Sequence, residues 1–470
     1  MINKKEWFGT EMELDVEGQH NSLKLIHPEI LDDLGSDHPD AQWFKNAGLG
    51  MFLHWCISSV DGRMDVSWGM LSRGKYYPKG TSIEEIEKLE AQEVIDDNFK
   101  MRPAKYFALA KEFNAKNYDA DKWMEMAKKA GFQYAVLTTM HCDGFKLWPS
   151  KYGDFSTKDF LNGRDLVREF ADACRKHDLK VGFYFTPTDW HFNKDHMSFM
   201  HYKVKEKNPD LPFVDENFIE REMPSEEDMA KQKKIHGIQH RNQLHELLTN
   251  YGKIDILWFD GGAMKGEAYP LEEIYKLQPG VVVTIRMHGY GDFRNCEVKF
   301  AEQKPKGWWE YCTIWSKRQA WAYTNNPVYR PTADIIAELI KTKNWGGNYL
   351  LNIGPMADGQ FPETAIKGLD ELADWMSIHK ESVIGSYPLL TGESANVYAT
   401  ARDNIRYLFM LPDAQKIVEL KGVKKLKRVY LMRTGKDLNY SFKNDCIKIN
   451  IEDTLHVSSL DVIKVELLNK

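Results

Sequence analysis

Six short, almost uninterrupted apolar runs punctuate the sequence: GLGMFLHW (48–55), FQYAVLTT (132–139), KVGFYFT (180–186), IDILWFD (254–260), VVVTIR (281–286) and GNYLLNIG (347–354). They are too short for ordinary helices, rich in β-branched and aromatic residues, and lack the alternation of a strand with one wet face. Runs of this kind fit strands of a parallel sheet covered on both faces. Between them lie amphipathic segments with start and stop signals. DADKWMEMAKKAG (119–131) opens on Asp119 as an N-cap and ends on Gly131, and RDLVREFADACRKHD (164–178) repeats the pattern. Strand, loop, helix and strand in this order predict βα units.

The first and last runs span about 300 residues. That is enough for a (β/α)8-like TIM barrel, which needs about 250, with insertions. Two insertions stand out, at about 61–115 and 190–225. After about residue 390 the texture changes to short alternating segments: VYATARDNIRYLFMLP, KIVELKG, KRVYLMRTG, CIKINI and DVIKVELL. These predict a small C-terminal antiparallel β-sandwich. The expected division is a barrel over 1–385, with an N-terminal extension, and a sandwich over 386–470.

Charge narrows the function classes. The 470 residues carry 63 Lys plus Arg against 69 Asp plus Glu, for a net charge of −6, with the signs interspersed. A chain without a broad basic field is a poor nucleic-acid binder. No stretch of about 18 apolar residues is present to cross a membrane. The six Cys, at 56, 142, 174, 296, 312 and 446, show no CxxC spacing and suggest reduced thiols. The N-terminal MINKKEWFGTEMELDVEG reaches acidic residues before any apolar run of signal-peptide length. A cytoplasmic protein is expected.

In a parallel barrel the reactive groups sit past the C-terminal ends of the strands. Reading those positions gives His54-Trp55, His141-Cys142-Asp143, Trp190-His191, Trp258-Phe259-Asp260, and Arg286 followed by Gly291-Asp292-Phe293 and Glu297. Asp260 ends an apolar run in which 254, 256, 258 and 260 share a face, and two glycines follow it. It could attack a substrate, or it could cap a helix. Glycoside hydrolysis needs two carboxyls flanking the bond. Glu297 and Glu302, in NCEVKFAEQKP, are the second acids best placed, each with the alternative of a solvated surface Glu. His54 and His141 are candidates for substrate contact or for satisfied core histidines. With Asp143 and Asp260 they could also ligate a metal, but there is no HxH or HExxH spacing. No metal and no cofactor is expected. Five of the 14 Trp, namely Trp55, Trp68, Trp148, Trp190 and Trp258, fall on strand ends or the loops after them and are expected to wall a sugar pocket.

Several of these segments together resemble glycoside hydrolase family 29, the retaining α-L-fucosidases, over nearly the whole chain. GLGMFLHW resembles the family's first strand. YAVLTTMHCDGFKLWPSKYGDFS is the longest match, and VGFYFTPTDW, LWFDG and GGNYLLNIGPMADGQFPE follow in the family's order. The resemblance implies Asp260 as nucleophile. It implies His54, Trp68, His141, Cys142, Tyr184, Trp258 and Arg286 as sugar-binding positions. In GDFRNCE the family's spacing lands the acid/base on Glu297, with Glu302 in reserve because AEQKP resembles an EQ-x-x-P phrase.

Two departures bear on specificity. Cys142 stands where the family has a second His, and Ser67 stands where it has Glu. Both changes touch partners of the sugar's secondary hydroxyls. The expected activity is therefore a retaining exo-α-L-glycosidase, most simply an α-L-fucosidase. The alternatives are an α-L-galactosidase or α-L-glucosidase, a non-catalytic carbohydrate-binding barrel, and a metal-dependent barrel hydrolase. The expected partner is an oligosaccharide or glycoside, and a homo-oligomer is left open.

Overall fold

A computed structural model describes residues 34–92, 99–261, 269–412, 416–451 and 460–468. The N-terminal stretch behind the expectation of a cytoplasmic location, and Gly262 after Asp260, lie outside the described residues. The first three strands are β1 (Leu49–Leu53), β2 (Tyr134–Met140) and β3 (Lys180–Phe185). A small ribbon follows, β4 (Phe213–Val214) with β5 (Glu220–Arg221). Then come β6 (Ile256–Phe259), β7 (Val282–Val283), β8 (Arg294–Glu297), β9 (Trp309–Ile314) and β10 (Asn348–Ile353).

Eight of these form one parallel sheet in the order β7-β6-β3-β2-β1-β10-β9-β8. The sheet curls until its two edges meet in a single parallel bridge between Thr284 and Phe293. All six apolar runs contribute strands. The 281–286 run is laddered only at Val282–Val283, however, and two strands escaped the apolar-run criterion. Those two are β8, which reads RNCE, and β9, which carries Glu310 as its second residue. Polar residues interrupt the apolar pattern of both, so hydropathy conceals them.

Side-chain alternation sorts the core into two shells. Met51, Leu53, Ala135, Leu137, Phe183, Leu257 and Phe259 face the surrounding helices. Phe52, Tyr134, Val136, Tyr184, Ile256, Trp258, Cys312 and Leu350 fill the inside of the curl together with Phe44. Each large apolar side chain so buried contributes about 1.5–3 kcal/mol. The helices begin where the sequence signals them. Asp119 accepts from Lys122 N at 3.1 Å to cap Ala120–Lys129, and Asp165 accepts from Arg168 N at 2.8 Å to cap Leu166–Lys176.

The two insertions, far apart in sequence, join each other. Ser72 N donates to Phe199 O and Tyr77 N to Phe218 O, both at 2.8 Å, and Ala104 N donates to Glu216 O at 2.9 Å. Together they raise one side of a rim that carries Ser67 and Trp68 on one insertion and His201 on the other.

Beyond the helix Glu363–Val383 lie β11 (Tyr387–Pro388), β12 (Ser394–Ala395), β13 (Ala399–Arg402), β14 (Ile405–Met410), β15 (Ile417–Lys421), β16 (Leu426–Leu431), β17 (Tyr440–Lys443), β18 (Cys446–Asn450) and β19 (Asp461–Leu467). They form two antiparallel sheets, β11-β13-β14-β19-β16 and β12-β15-β18-β17. Leu408, Val429 and Val465 of one sheet and Val418, Leu420, Ile447 and Ile449 of the other share one apolar cluster.

Candidate active site

The pocket lies where the inner shell reaches the C-terminal ends of the strands. It is lined by Phe52, His54, Val66, Trp68, His141, Tyr184, Trp258, Asp260, Glu297 and Trp321. Asp260 follows β6 directly, and three donors converge on its oxygens. Tyr184 OH donates at 2.7 Å, Arg286 Nη2 at 2.6 Å and Gly261 N at 2.9 Å. Gly261 has φ +75°, a conformation open to glycine, and a Cβ there would stand 3.1 Å from Thr186 Oγ1.

The other fork of the same guanidinium serves a second acid: Arg286 Nη1 donates to Glu297 Oε2 at 2.5 Å. Glu297 ends β8 rather than sitting on a free loop, which fixes its approach. Burial opposes the Arg286 charge, but Asp260 and Glu297 outweigh it, so the guanidinium is held more firmly protonated than usual. Arg286 also lies over the Trp258 ring, 4.7 Å from its centroid. Glu302 stands elsewhere, exposed and paired with Lys299 at 2.7 Å.

The two histidines face the pocket as neutral rings. Burial drives His54 down to about 3, with His141 adding to the fall, and drives His141 down to about 4. Asn352 fixes His54 through a 2.7 Å contact between Oδ1 and Nδ1, while its own Nδ2 donates to Trp321 O at 2.6 Å. Ser67 Oγ bonds His141 Nδ1. Cys142 is buried and is not among the pocket-lining residues; burial pushes its thiol well up.

Trp258 is oriented from beneath. Its Nε1 donates to Glu310 Oε1 at 2.9 Å, and Tyr134 OH donates to Glu310 Oε2 at 2.5 Å. Burial raises Glu310 to about 7.

Of the five tryptophans expected to wall the pocket, Trp68 and Trp258 do so. Trp55 is core, donating to Met356 O at 2.9 Å. Trp148 is core as well, donating to Glu246 Oε2 at 2.9 Å. Trp190 packs edge-on against Trp68 at 5.4 Å without lining the pocket. Trp321 lines the pocket instead, from the loop after β9, a strand hydropathy had hidden. Asn352 and Glu310 were missed for a related reason, since each is a polar residue inside an otherwise apolar strand.

Much of the DGF-x-LWPSKY run is scaffold. Asp143 accepts from Phe145 N at 3.0 Å and Tyr106 OH at 2.9 Å. Gly144, at φ +82°, leaves room for Asp189, whose Oδ1 would lie 2.0 Å from a Cβ. Glu246, on the helix Glu226–Asn250, accepts from Trp148 Nε1, Ser150 Oγ and Lys151 N. Val66, with φ 29°, holds a conformation that β-branched residues avoid, immediately before Ser67 and Trp68. Among the described residues, no group of three or more His, Cys, Asp or Glu could hold a metal ion. No described helix is long and apolar enough to cross a membrane.

Two acids on one guanidinium, ringed by aromatic side chains and neutral histidines, supply the groups that glycoside hydrolysis requires. Comparison with known proteins gives the family: the chain belongs to the alpha-L-fucosidase family, whose model matches residues 28–381. A tissue alpha-L-fucosidase of Mus musculus is 28% identical over 430 residues, covering 87% of this chain and 86% of its own. The tissue alpha-L-fucosidase of Homo sapiens is 29% identical over 369 residues, covering 74% and 70%. Among solved structures, alpha-L-fucosidase isoenzyme 1 from Paenibacillus thiaminolyticus superposes with a TM-score of 0.71 at 26% identity, over 92% of this chain and 99% of its own.

Proposed function

We propose that this chain is a retaining exo-α-L-fucosidase that hydrolyses terminal α-L-fucosides by double displacement. The observation that carries the reading is the single Arg286 guanidinium bonding Asp260 and Glu297 at the aromatic pocket of an alpha-L-fucosidase family member. Asp260, steadied by Tyr184, Arg286 and Gly261 N, attacks the anomeric carbon. Glu297, in its acid form, gives its proton to the leaving oxygen as the glycosidic bond breaks. The second half reverses the roles: Glu297 takes a proton from water, whose oxygen displaces Asp260 from the anomeric carbon. Sharing one guanidinium brings the two carboxyls to the same pocket, in keeping with the short separation that retention requires. His54, His141, Trp68, Trp258 and Trp321 orient the sugar ring. Glu297 is assigned over Glu302 on the strength of its place in the pocket.

Ser67 in place of the family's Glu bears on sugar choice, because its hydroxyl occupies one nitrogen of His141. The test is a panel of nitrophenyl α-L-fucoside, L-galactoside and L-glucoside with wild type and Asp260→Asn, following the anomer first released by NMR. Wild type is expected to prefer the fucoside and release the α-anomer first, with turnover lost in the variant. A β-anomer, or turnover kept in Asp260→Asn, would overturn the mechanism; sugar binding without hydrolysis by wild type would leave a binding protein.

For the fold, the reading is a closed (β/α)8-like barrel, supported by the Thr284–Phe293 bridge. A β-sandwich from about 386 onward is supported by the shared apolar cluster.

A further inference from the structure

Next to the sugar pocket lies a second, much larger depression of about 1000 Å³, and the two share Trp68 and Trp321 as a common wall. Its size suits several sugar units. Its lining is one-sided in charge. Arg73, Lys203, Lys207, Lys317 and Arg318 are exposed along it and Lys100 is half-buried. Among the described residues none of these six has an ion-pair partner. Arg63 also lines the cleft but is taken up by Asp61 at 2.6 Å. The acid in the lining, Asp65, accepts from Ala322 N at 2.9 Å, and burial raises it to about 7, so near neutrality it carries only part of a negative charge.

The protein's own titratable groups register the resulting field. After burial, the neighbours that lower His201 are Arg73, Lys203 and Lys100, with Glu206 acting the other way. Lys100 is lowered by burial and then by Arg73, with Asp65 acting the other way. These cations come from four separated stretches of chain, the two insertions and the loop after β9 among them. An isolated surface Lys needs no ligand, but six cations gathered around a sugar-unit-sized cleft in which Asp65 is the one lining carboxylate among the described residues suit an anionic guest.

We propose that the cleft binds the leaving-group portion of an anionic oligosaccharide, one whose sugars next to the terminal residue carry sulfate esters or carboxylates. The glycosidic bond would cross between Trp68 and Trp321, with the terminal sugar in the pocket and the charged remainder along Arg73, Lys203, Lys207, Lys317 and Arg318. The proposal rests on the glycosidase reading of the pocket and adds the substrate's charge.

The test uses matched fucosyl trisaccharides whose remainder is neutral, sulfated or uronate-bearing, with nitrophenyl α-L-fucoside alongside. kcat/KM of wild type on one or both anionic substrates should exceed the neutral one about tenfold at about 20 mM ionic strength, narrowing to about twofold at about 300 mM as screening shortens the field. Which anionic arm gains distinguishes sulfate from carboxylate. The double variant Lys317→Ser/Arg318→Ser should bring the anionic-to-neutral ratio toward one, and Lys203→Ser/Lys207→Ser serves if the first fails to fold. A wild-type ratio of one or less at low salt, or a ratio untouched by both double variants, overturns the proposal. No hydrolysis of any fucoside would instead sink the enzymatic reading. The cleft would then be judged by calorimetry with the same trisaccharides: salt-sensitive preference for the anionic ones upholds it, and equal binding overturns it.

Discussion

The sugar pocket and the basic cleft meet at two tryptophans yet treat charge in opposite ways. In the pocket charges meet at short range: one buried guanidinium spans two acids, and the histidines are stripped of charge by burial. In the cleft like charges stand in solvent and wait for a partner. Compensated charges in a dry setting interact strongly and hold reacting groups in place, which suits bond making. Exposed charges are screened and individually weak, which suits selecting among substrates. Variants should therefore hurt by very different amounts on the two sides of Trp68 and Trp321.

The largest effect is expected at Asp260: Asp260→Asn should lower kcat by about four orders of magnitude, read on nitrophenyl α-L-fucoside. Arg286→Met should follow, because it strands two acids. Breaking a buried pair of this kind costs about 3–5 kcal/mol, measurable by urea denaturation, and an unchanged midpoint would show that the pocket's charges are not balanced by Arg286. Glu297→Gln should cost about 10²- to 10³-fold in kcat. Its deficit should shrink for leaving groups that depart without a proton, and an equal deficit on all leaving groups would remove Glu297 as the acid.

Glu310→Gln tests the support beneath Trp258 through pH. Glu310 is raised in the folded state, so its contribution to stability is full below its ordinary 4.5 and is lost as pH rises through about 7. The variant should flatten that decline, by on the order of 3 kcal/mol. It should leave untouched the acid-side loss from His54 and His141, whose lowered values make stability full above about 6.5 and falling toward pH 4. The smallest effect belongs to the cleft, where a single Arg318→Ser should shift stability by less than about 0.5 kcal/mol and show itself only in salt-dependent selectivity.

What hydropathy could reveal was bounded by what the fold does with polar groups. The continuous runs exposed six strands and, through their last residues, His54, His141, Asp260 and Arg286. Strands β8 and β9 stayed hidden because buried polar residues, Asn295 and Glu310 among them, interrupt their apolar pattern, and Trp321 was hidden with them. Trp148 was misassigned because a strand-end tryptophan looks the same whether it meets a sugar or a buried carboxylate such as Glu246. The basic cleft was invisible for another reason. The chain's signs are interspersed along the sequence, and only the pairing of the two insertions with the loop after β9 gathers the cations on one side.

The ion network in the pocket also has a mechanical side. In sheet order β7 and β8 are the two edges, β7 is two residues long, and Thr284–Phe293 is the bridge that joins them. Arg286, just past β7, grips Glu297 at the end of β8, so this ion pair doubles as a clasp across the least laddered seam of the sheet. A sugar seated against Asp260 and Glu297 is expected to tighten that clasp. Amides along 282–297 should exchange with solvent fastest in the empty protein and slow most when the pocket fills, while those of β1 and β2 scarcely respond.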